Sequence, residues 1–238
     1  MMGTPVGVVG DDAIADELRD AGVAVERGSD GTVPKTDRVV AVGEDAVAAA
    51  ARVDGDPLVL PVAAGRGVRS VPRDDAVAAV SGLADARVET HPVLRVAMPD
   101  GTVEQAFWDV TLVTADAARI SEFTIASTAD RIGQFRADGV VIATAAGSPG
   151  YVHRVGGPIL APSDQAVVAP IAPFATDPDH WVLPVAGLSA SVERDEATVE
   201  LLVDDRVSQP VGYQESITIS LGSPVRTAVV DESQSRFE

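Results

Sequence analysis

Apolar residues follow two different rhythms along this chain. Up to about residue 90, short runs that are almost wholly apolar alternate with stretches of helical spacing. Val6–Val9, Val23–Val25, Arg38–Val42 and Leu58–Val62 read as strands buried on both faces. Asp11–Asp20, Asp45–Val53 and Arg73–Leu83 read as helices. The first is opened by acids, and the second is rich in alanine, the residue with the best helix propensity. Strand and helix in turn predict a parallel sheet with crossover helices.

After His91-Pro92 the helical spacing disappears. Val93–Ala97, Val110–Val113, Ile120–Ile125, Val140–Ala143, Ala166–Ala169, Trp181–Leu183, Thr198–Val203 and Ile217–Leu221 are short strand-like runs, with another at Val225–Val230. Turn signals separate many of them, among them Pro99-Asp100-Gly101, Gly147-Ser148-Pro149-Gly150 and Asp204-Asp205. The expectation is an α/β, Rossmann-like domain over residues 1–91 and an all-β, sandwich-like domain over residues 92–221. Residues 222–238 are expected to pack back on the first domain, with Asp231–Glu238 as a frayed polar end.

Composition narrows the chemistry. The 238 residues carry a net charge of −18, and Lys35 is the only lysine among 18 basic residues. The acids are spread along the chain, as in proteins of salt-accumulating archaea, where cations screen dense surface carboxylates. No basic stripe marks a nucleic-acid partner. Cys is absent, which excludes disulfides and thiolate metal sites, and His91, His153 and His180 are far apart, so no metal site is expected. No apolar run approaches the ~20 residues of a membrane helix, nor does a charged-then-apolar leader open the chain. The expected setting is cytoplasmic, with no membrane partner.

Two strand-to-glycine turns stand out. Arg38–Val42 runs into Gly43-Glu44-Asp45 and then an alanine-rich helix, the local order of a phosphate site, but with two acids at its mouth. Those acids also simply suit the first turn of a helix. Val140–Ala143 runs into Thr144-Ala145-Ala146-Gly147-Ser148-Pro149-Gly150-Tyr151, which offers a hydroxyl and close backbone approach. Asp138 precedes that strand, where a carboxylate can bond a ribose hydroxyl or close a turn. Tyr151 can stack on a base or fill the core.

The stretch Arg136-Ala137-Asp138-Gly139 to Tyr151, followed by Gly156-Gly157-Pro158-Ile159, resembles the NAD kinase family. That family's pattern is Asp-Gly, three apolar residues, Ser/Ala-Thr-Pro-Thr-Gly-Ser-Thr-Ala-Tyr, then Gly-Gly-Pro. Ala169-Pro170-Ile171-Ala172-Pro173 and Trp181-Val182-Leu183-Pro184 resemble its later segments. The resemblance implies an α/β domain plus a β-sandwich domain, nucleotide ligands, and a homodimer or homotetramer. It implies NAD(P) as substrate or ligand at Asp138, Thr144, Gly147, Ser148 and Tyr151, with ATP and Mg²⁺ if the protein is active. The family's Asn-Glu pair, which holds adenosine, falls on Trp108-Asp109. Asp109 keeps a carboxylate; Trp108 stacks on the base or fills the core.

The family's catalytic Gly-Gly-Asp-Gly-Thr loop falls on Val42-Gly43-Glu44-Asp45-Ala46. Only Gly43 stays in register, Glu44 takes the place of the catalytic Asp, and a slip of one residue would give that role to Asp45. The downstream loop keeps Gly65 and loses an Asn at Ala63; Gly65-Arg66-Gly67 reads as a phosphate cradle or a flexible turn. The resemblance therefore implies an NAD kinase-like protein that binds NAD(P) and phosphorylates the NAD 2′-hydroxyl with ATP. The alternative is a catalytically inactive NAD(P)-binding or regulatory homologue. A lipid kinase of the same fold ranks last.

Overall fold

In a computed structural model the described residues are 4–28, 32–116, 119–194 and 197–237. The chain opens with β1 (Val6–Val9), α1 (Asp12–Asp20), β2 (Val25–Arg27), β3 (Arg38–Val42), α2 (Glu44–Ala50), β4 (Leu58–Val62), α3 (Ala76–Ser81) and β5 (Arg87–His91). It continues through β6 (Leu94–Ala97), β7 (Val103–Ala106), β8 (Asp109–Thr114), β9 (Ser121–Ala126), β10 (Arg131–Ala137), β11 (Gly139–Ala143) and α4 (Tyr151–Arg154). There follow β12 (Gln165–Ile171), β13 (Trp181–Pro184), β14 (Leu188–Val192), β15 (Val199–Val203), β16 (Arg206–Val211), β17 (Ser216–Leu221) and β18 (Val225–Val229). Two compact units result: residues 1–91 with 224–238, and residues 92–223.

The first unit is α/β. Its sheet has the order β2-β1-β3-β4-β18-β5, parallel except for β5. Its central strands are apolar on both faces because helices cover both. Ile14, Ala15 and Leu18 of α1 and Ala76, Ala79 and Val80 of α3 bury Val8, Val40 and Leu60. Helix α2 packs on β3 and β4 through Ala46, Val47 and Ala50. Pro61 is tolerated in β4 because the register with β18 ends at Val59, so no partner strand needs its missing N–H.

The second unit is a sandwich of two six-stranded antiparallel sheets, β10-β9-β14-β17-β6-β7 and β13-β12-β11-β8-β15-β16. Strict alternation in β9, β14 and β15 sends every second side chain into one core that includes Phe123, Ile125, Val110, Leu112, Ile142, Leu201 and Ile217. In β11 all five residues are buried, because Val140 and Ile142 face that core while Val141 and Ala143 are covered by Val152 of α4 on the outer face.

The structure departs from the apolar pattern in particular places. Strands β5, β7, β10, β14 and β16 were not visible in it. Strand β10 is Arg131-Ile132-Gly133-Gln134-Phe135-Arg136-Ala137, too polar to read as a strand until its partner β9 is known. The expected helix Arg73–Leu83 is shorter: Arg73–Asp75 forms a 3-10 turn and only Ala76–Ser81 is α-helical. The expected strand at Val23–Val25 begins at Val25 instead. The end of the chain is not frayed over its described part: Gln234 N–H donates to Ser70 O at 3.2 Å, and Arg236 is 3% exposed. Glu238 lies outside the described residues.

Candidate functional site

In the first unit, β3 ends at Val42 and Gly43 turns the chain into α2. Gly43 has φ +89°, a conformation that costs a side-chain-bearing residue roughly 1–2 kcal/mol. Its N–H donates to Val62 O at 2.9 Å, which locks the turn to β4. Glu44 and Asp45 are exposed, while Ala46 is buried. Glu44 leans on the following loop: a Cβ added to Gly65 would stand 3.1 Å from its Oε1.

That loop is not a flexible turn. Arg66–Val68 winds into a 3-10 turn, Ser70 N–H donates to Gly65 O at 3.3 Å, and the buried Arg236 guanidinium donates to Gly67 O. Arg236 also meets Glu89 at 3.0 Å, beside His91. His91 is fully buried, with Nε2 3.0 Å from Thr227 Oγ1. Burial, reinforced by the Arg236 charge and opposed by Glu89, lowers the His91 pKa from 6.5 to about 4.

In the second unit, Phe107-Trp108-Asp109 makes a corner at the start of β8, and the turn after β11 packs against it. The Thr144 hydroxyl donates to Phe107 O at 2.7 Å, and Thr144 N–H donates to Trp108 O at 2.9 Å. Gly147 presses on the same carbonyl, where a Cβ would lie 2.1 Å from Trp108 O. Ser148 is fully buried; its hydroxyl donates to Ala145 O and accepts from Leu160 N–H, both at 2.9 Å. The hydroxyls of Thr144 and Ser148 thus build the turn. What faces outward beside it is Trp108, half-buried and edge-on to Phe107 at 4.7 Å, and Asp109, whose carboxylate meets the Thr111 hydroxyl at 3.4 Å on the outer face of the sheet. Tyr151 opens α4 and is 43% exposed.

Of the residues singled out from sequence, Asp109, Thr144, Gly147 and Ser148 come together here. Asp138 does not join them: it precedes β11, whereas Thr144 follows it, six steps of about 3.4 Å away along the strand. Its backbone accepts from Thr114 N–H at 2.8 Å and donates to Ile171 O at 2.9 Å. Close to that end lies a cavity of about 220 Å³ lined by Ile120, Arg136, Phe174 and Arg194. Phe174 is 78% exposed, and Arg194 pairs with Glu122 at 3.0 Å. Sequence reasoning gave none of the four a ligand role. The available signal was an exposed aromatic next to a Pro, with two arginines in a chain poor in basic residues. It also read Asp204 only as a turn residue. Asp204 is 6% exposed, and its carboxylate accepts from the N–H groups of Phe107 at 3.1 Å and Trp108 at 2.7 Å.

No group of three or more His, Asp or Glu among the described residues is placed to hold a metal ion by itself. No helix among them is long and apolar enough to cross a membrane.

Residues 109–230, just over half of the chain, match the family described as ATP-NAD kinase C-terminal domain. An NAD kinase of Chlorobium phaeobacteroides is 30% identical over 143 residues, 58% of this chain and 50% of that protein. One of Methanosarcina acetivorans is 40% identical over 83 residues, 34% of this chain and 30% of that protein. The matched segment therefore spans at most about half of either relative's length. Among solved structures, yeast NADH kinase complexed with NADH superposes with TM-score 0.80 at 17% identity, covering 96% of this chain and 84% of that one. An NAD kinase from Archaeoglobus fulgidus in complex with ATP gives 0.76 at 22% identity, covering 98% and 95%. The two-unit fold is that of these kinases, and the matched segment runs from Asp109 through the Thr144–Ser148 turn to Asp204 and beyond: the chain belongs to the ATP-NAD kinase family.

Proposed function

We propose that this protein is an NAD kinase, moving the γ-phosphoryl group of ATP to the 2′-hydroxyl of NAD to give NADP and ADP. The observation that carries the reading is the second unit's corner. Thr144 holds the Gly147 N–H and the carbonyls of Phe107 and Trp108, and Ser148 ties the turn to Ala145 and Leu160, leaving a fixed surface that presents Trp108 and Asp109. On this reading Asp109 accepts from ribose hydroxyls, Trp108 stacks on the base, and Tyr151 closes the mouth. The guanidinium groups of Arg136 and Arg194, with the Phe174 ring, add a place for phosphate beside an aromatic ring, and Asp138 serves the same end of the site. The ligands seen in the relatives, NADH and ATP, are carried over to this chain as part of the proposal.

Glu44 stands where the family's catalytic Asp stands. Its carboxylate takes the proton of the 2′-hydroxyl as that oxygen bonds to the γ-phosphorus and the bond to ADP breaks. Asp45 is the second exposed carboxylate, suited to hold the Mg²⁺ that accompanies ATP through one or two oxygens. When bound, that ion neutralises charge on the transferring phosphate. Gly43 gives the turn its open shape.

The test is NADP formation from NAD, ATP and Mg²⁺ in about 1 M KCl, which shortens the screening length to about 3 Å. Wild-type protein is expected to form NADP at least ~100-fold faster than a Glu44→Gln, Asp45→Asn double variant. Equal rates would overturn the catalytic reading. A second reading, a non-catalytic NAD(P)-binding homologue, is favoured by Asp45 and Ala46 occupying the places of a Gly and a Thr. It is met by calorimetric binding of NAD or NADP without turnover. We also propose a salt-rich archaeal cytoplasm as the setting, from the spread acid excess, and a homodimer or homotetramer as the assembly, to be read by sedimentation in the same buffer.

A further inference from the structure

We infer that Asp204 is a positioning residue for dinucleotide recognition, fixing Trp108 and Asp109 from the side opposite Thr144. The inference rests on the NAD-binding reading above.

Residues 107–109 carry three N–H and three C=O groups. All six are bonded to two residues, Asp204 and Thr144. Asp204 Oδ2 accepts from Phe107 N–H at 3.1 Å, and Oδ1 accepts from Trp108 N–H at 2.7 Å and Asp109 N–H at 3.4 Å. Asp204 N–H donates to Asp109 O at 3.1 Å. Thr144 donates its hydroxyl to Phe107 O at 2.7 Å and its N–H to Trp108 O at 2.9 Å. Successive N–H groups pointing to one spot form a nest for an anion, and here the nest holds a carboxylate of the chain itself.

Placing it there is costly. Asp204 and Asp205 form the two-residue turn between β15 and β16 with φ +49° and +61°, the left-handed conformations of a type I′ turn. Asn-Gly would suit that turn better, and a nearly dry carboxylate carries a desolvation cost of its own. A plain hairpin needs neither. The return is a corner whose backbone cannot pivot, with Trp108 further held edge-on by the buried Phe107 ring. The side chains so oriented are Trp108 and Asp109, both half-buried at the outer face. Without the carboxylate three amides lose their acceptor and the corner is held only through its carbonyls, by Thr144 and the Asp204 N–H, so ligand contacts to Trp108 and Asp109 lose part of their alignment.

The experiment uses the full chain with Trp181→Phe, which leaves Trp108 as the single tryptophan. Asp204→Asn is then compared with its parent in about 1 M KCl by NAD titration, Trp108 emission and amide hydrogen exchange. Expected are faster exchange at 107–109, weaker quenching of Trp108 by NAD, and an NAD Kd raised at least ~10-fold, as loss of charge-assisted hydrogen bonds implies. Faster exchange with unchanged Kd and quenching would overturn the positioning role and leave Asp204 as a fold clamp only. If Asp204→Asn does not fold, Thr144→Val, which loosens the corner from the other side, is read by the same three signals, with Thr144→Ser as the variant that restores them. Failure of the parent to bind NAD or NADP overturns the functional reading and this inference with it. Binding by the parent without change in the variant overturns this inference alone.

Discussion

The turns at Gly43 and Gly147 begin alike, each a glycine-bearing turn following a buried strand, and differ in everything around the glycine. At Gly43 the α-carbon faces open space, and only the backbone angle, φ +89°, calls for glycine. Its neighbours Glu44 and Asp45 are exposed, with Glu44 leaning on the Gly65 loop. At Gly147 a Cβ would collide with the Trp108 backbone at 2.1 Å, and the neighbouring hydroxyls of Thr144 and Ser148 are used internally. One turn carries exposed charged side chains and nothing packed against its glycine; the other converts its polar groups into shape. An exposed, charged turn tolerates drift in residue identity, because few packing contacts constrain it. A turn whose every hydroxyl holds a backbone tolerates little. The matched family segment, residues 109–230, includes the Gly147 turn and leaves the Gly43 turn outside it.

The comparison can be broken by substitution. Gly147→Ala is expected to cost about 3 kcal/mol or more, because the clash is with backbone that cannot step aside. Urea unfolding in molar salt measures it. A cost under about 1 kcal/mol would mean that the turn is loose and the contrast false.

The second test sharpens the difference between the units through acid. His91 keeps its proton off in the folded state down to about pH 4, whereas in the unfolded chain it titrates near 6.5. The folded state therefore binds fewer protons, and stability falls as pH drops through 6.5, by roughly 3 kcal/mol at pH 4. Exchange of β5 and β18 amides should report this loss, since the cluster of His91, Thr227, Glu89 and Arg236 lies in the first unit. His91→Gln should flatten the slope between pH 6.5 and 4; an unaltered slope would remove His91 from the account.

The smallest expected effect is Gly43→Ala. Nothing crowds the site, so the cost is backbone strain alone, about 1–2 kcal/mol. A cost equal to that of Gly147→Ala would abolish the distinction between the turns.

Much of the fold was legible because burial on both faces demands continuous apolar runs. Val39-Val40-Ala41 and Val140-Val141-Ile142 announce central strands without any knowledge of their neighbours. Strands β7, β10 and β16 were not legible, because an edge strand such as Arg131–Ala137 is defined by its partner's hydrogen bonds more than by its own side chains. The candidate site divides in the same way. Gly43, Thr144 and Gly147 were readable, since a turn after a buried strand is a local event. Asp204 was not. Ninety-five residues of chain separate it from Asp109, and a carboxylate in Asp204-Asp205 has the same appearance in sequence whether it faces water or three buried amides.

By itself, then, the sequence determined the two-unit architecture and the location of both turns, because hydrophobic period and turn chemistry act over a few residues. Only the tertiary structure decided which polar groups remain available. Thr144 and Ser148 became part of the scaffold, Arg236 a buried tie to the 65–70 loop, and Asp204 the clamp on Trp108 and Asp109. Hydrogen-bond partners brought from distant strands settle those roles, and no local rule can supply them.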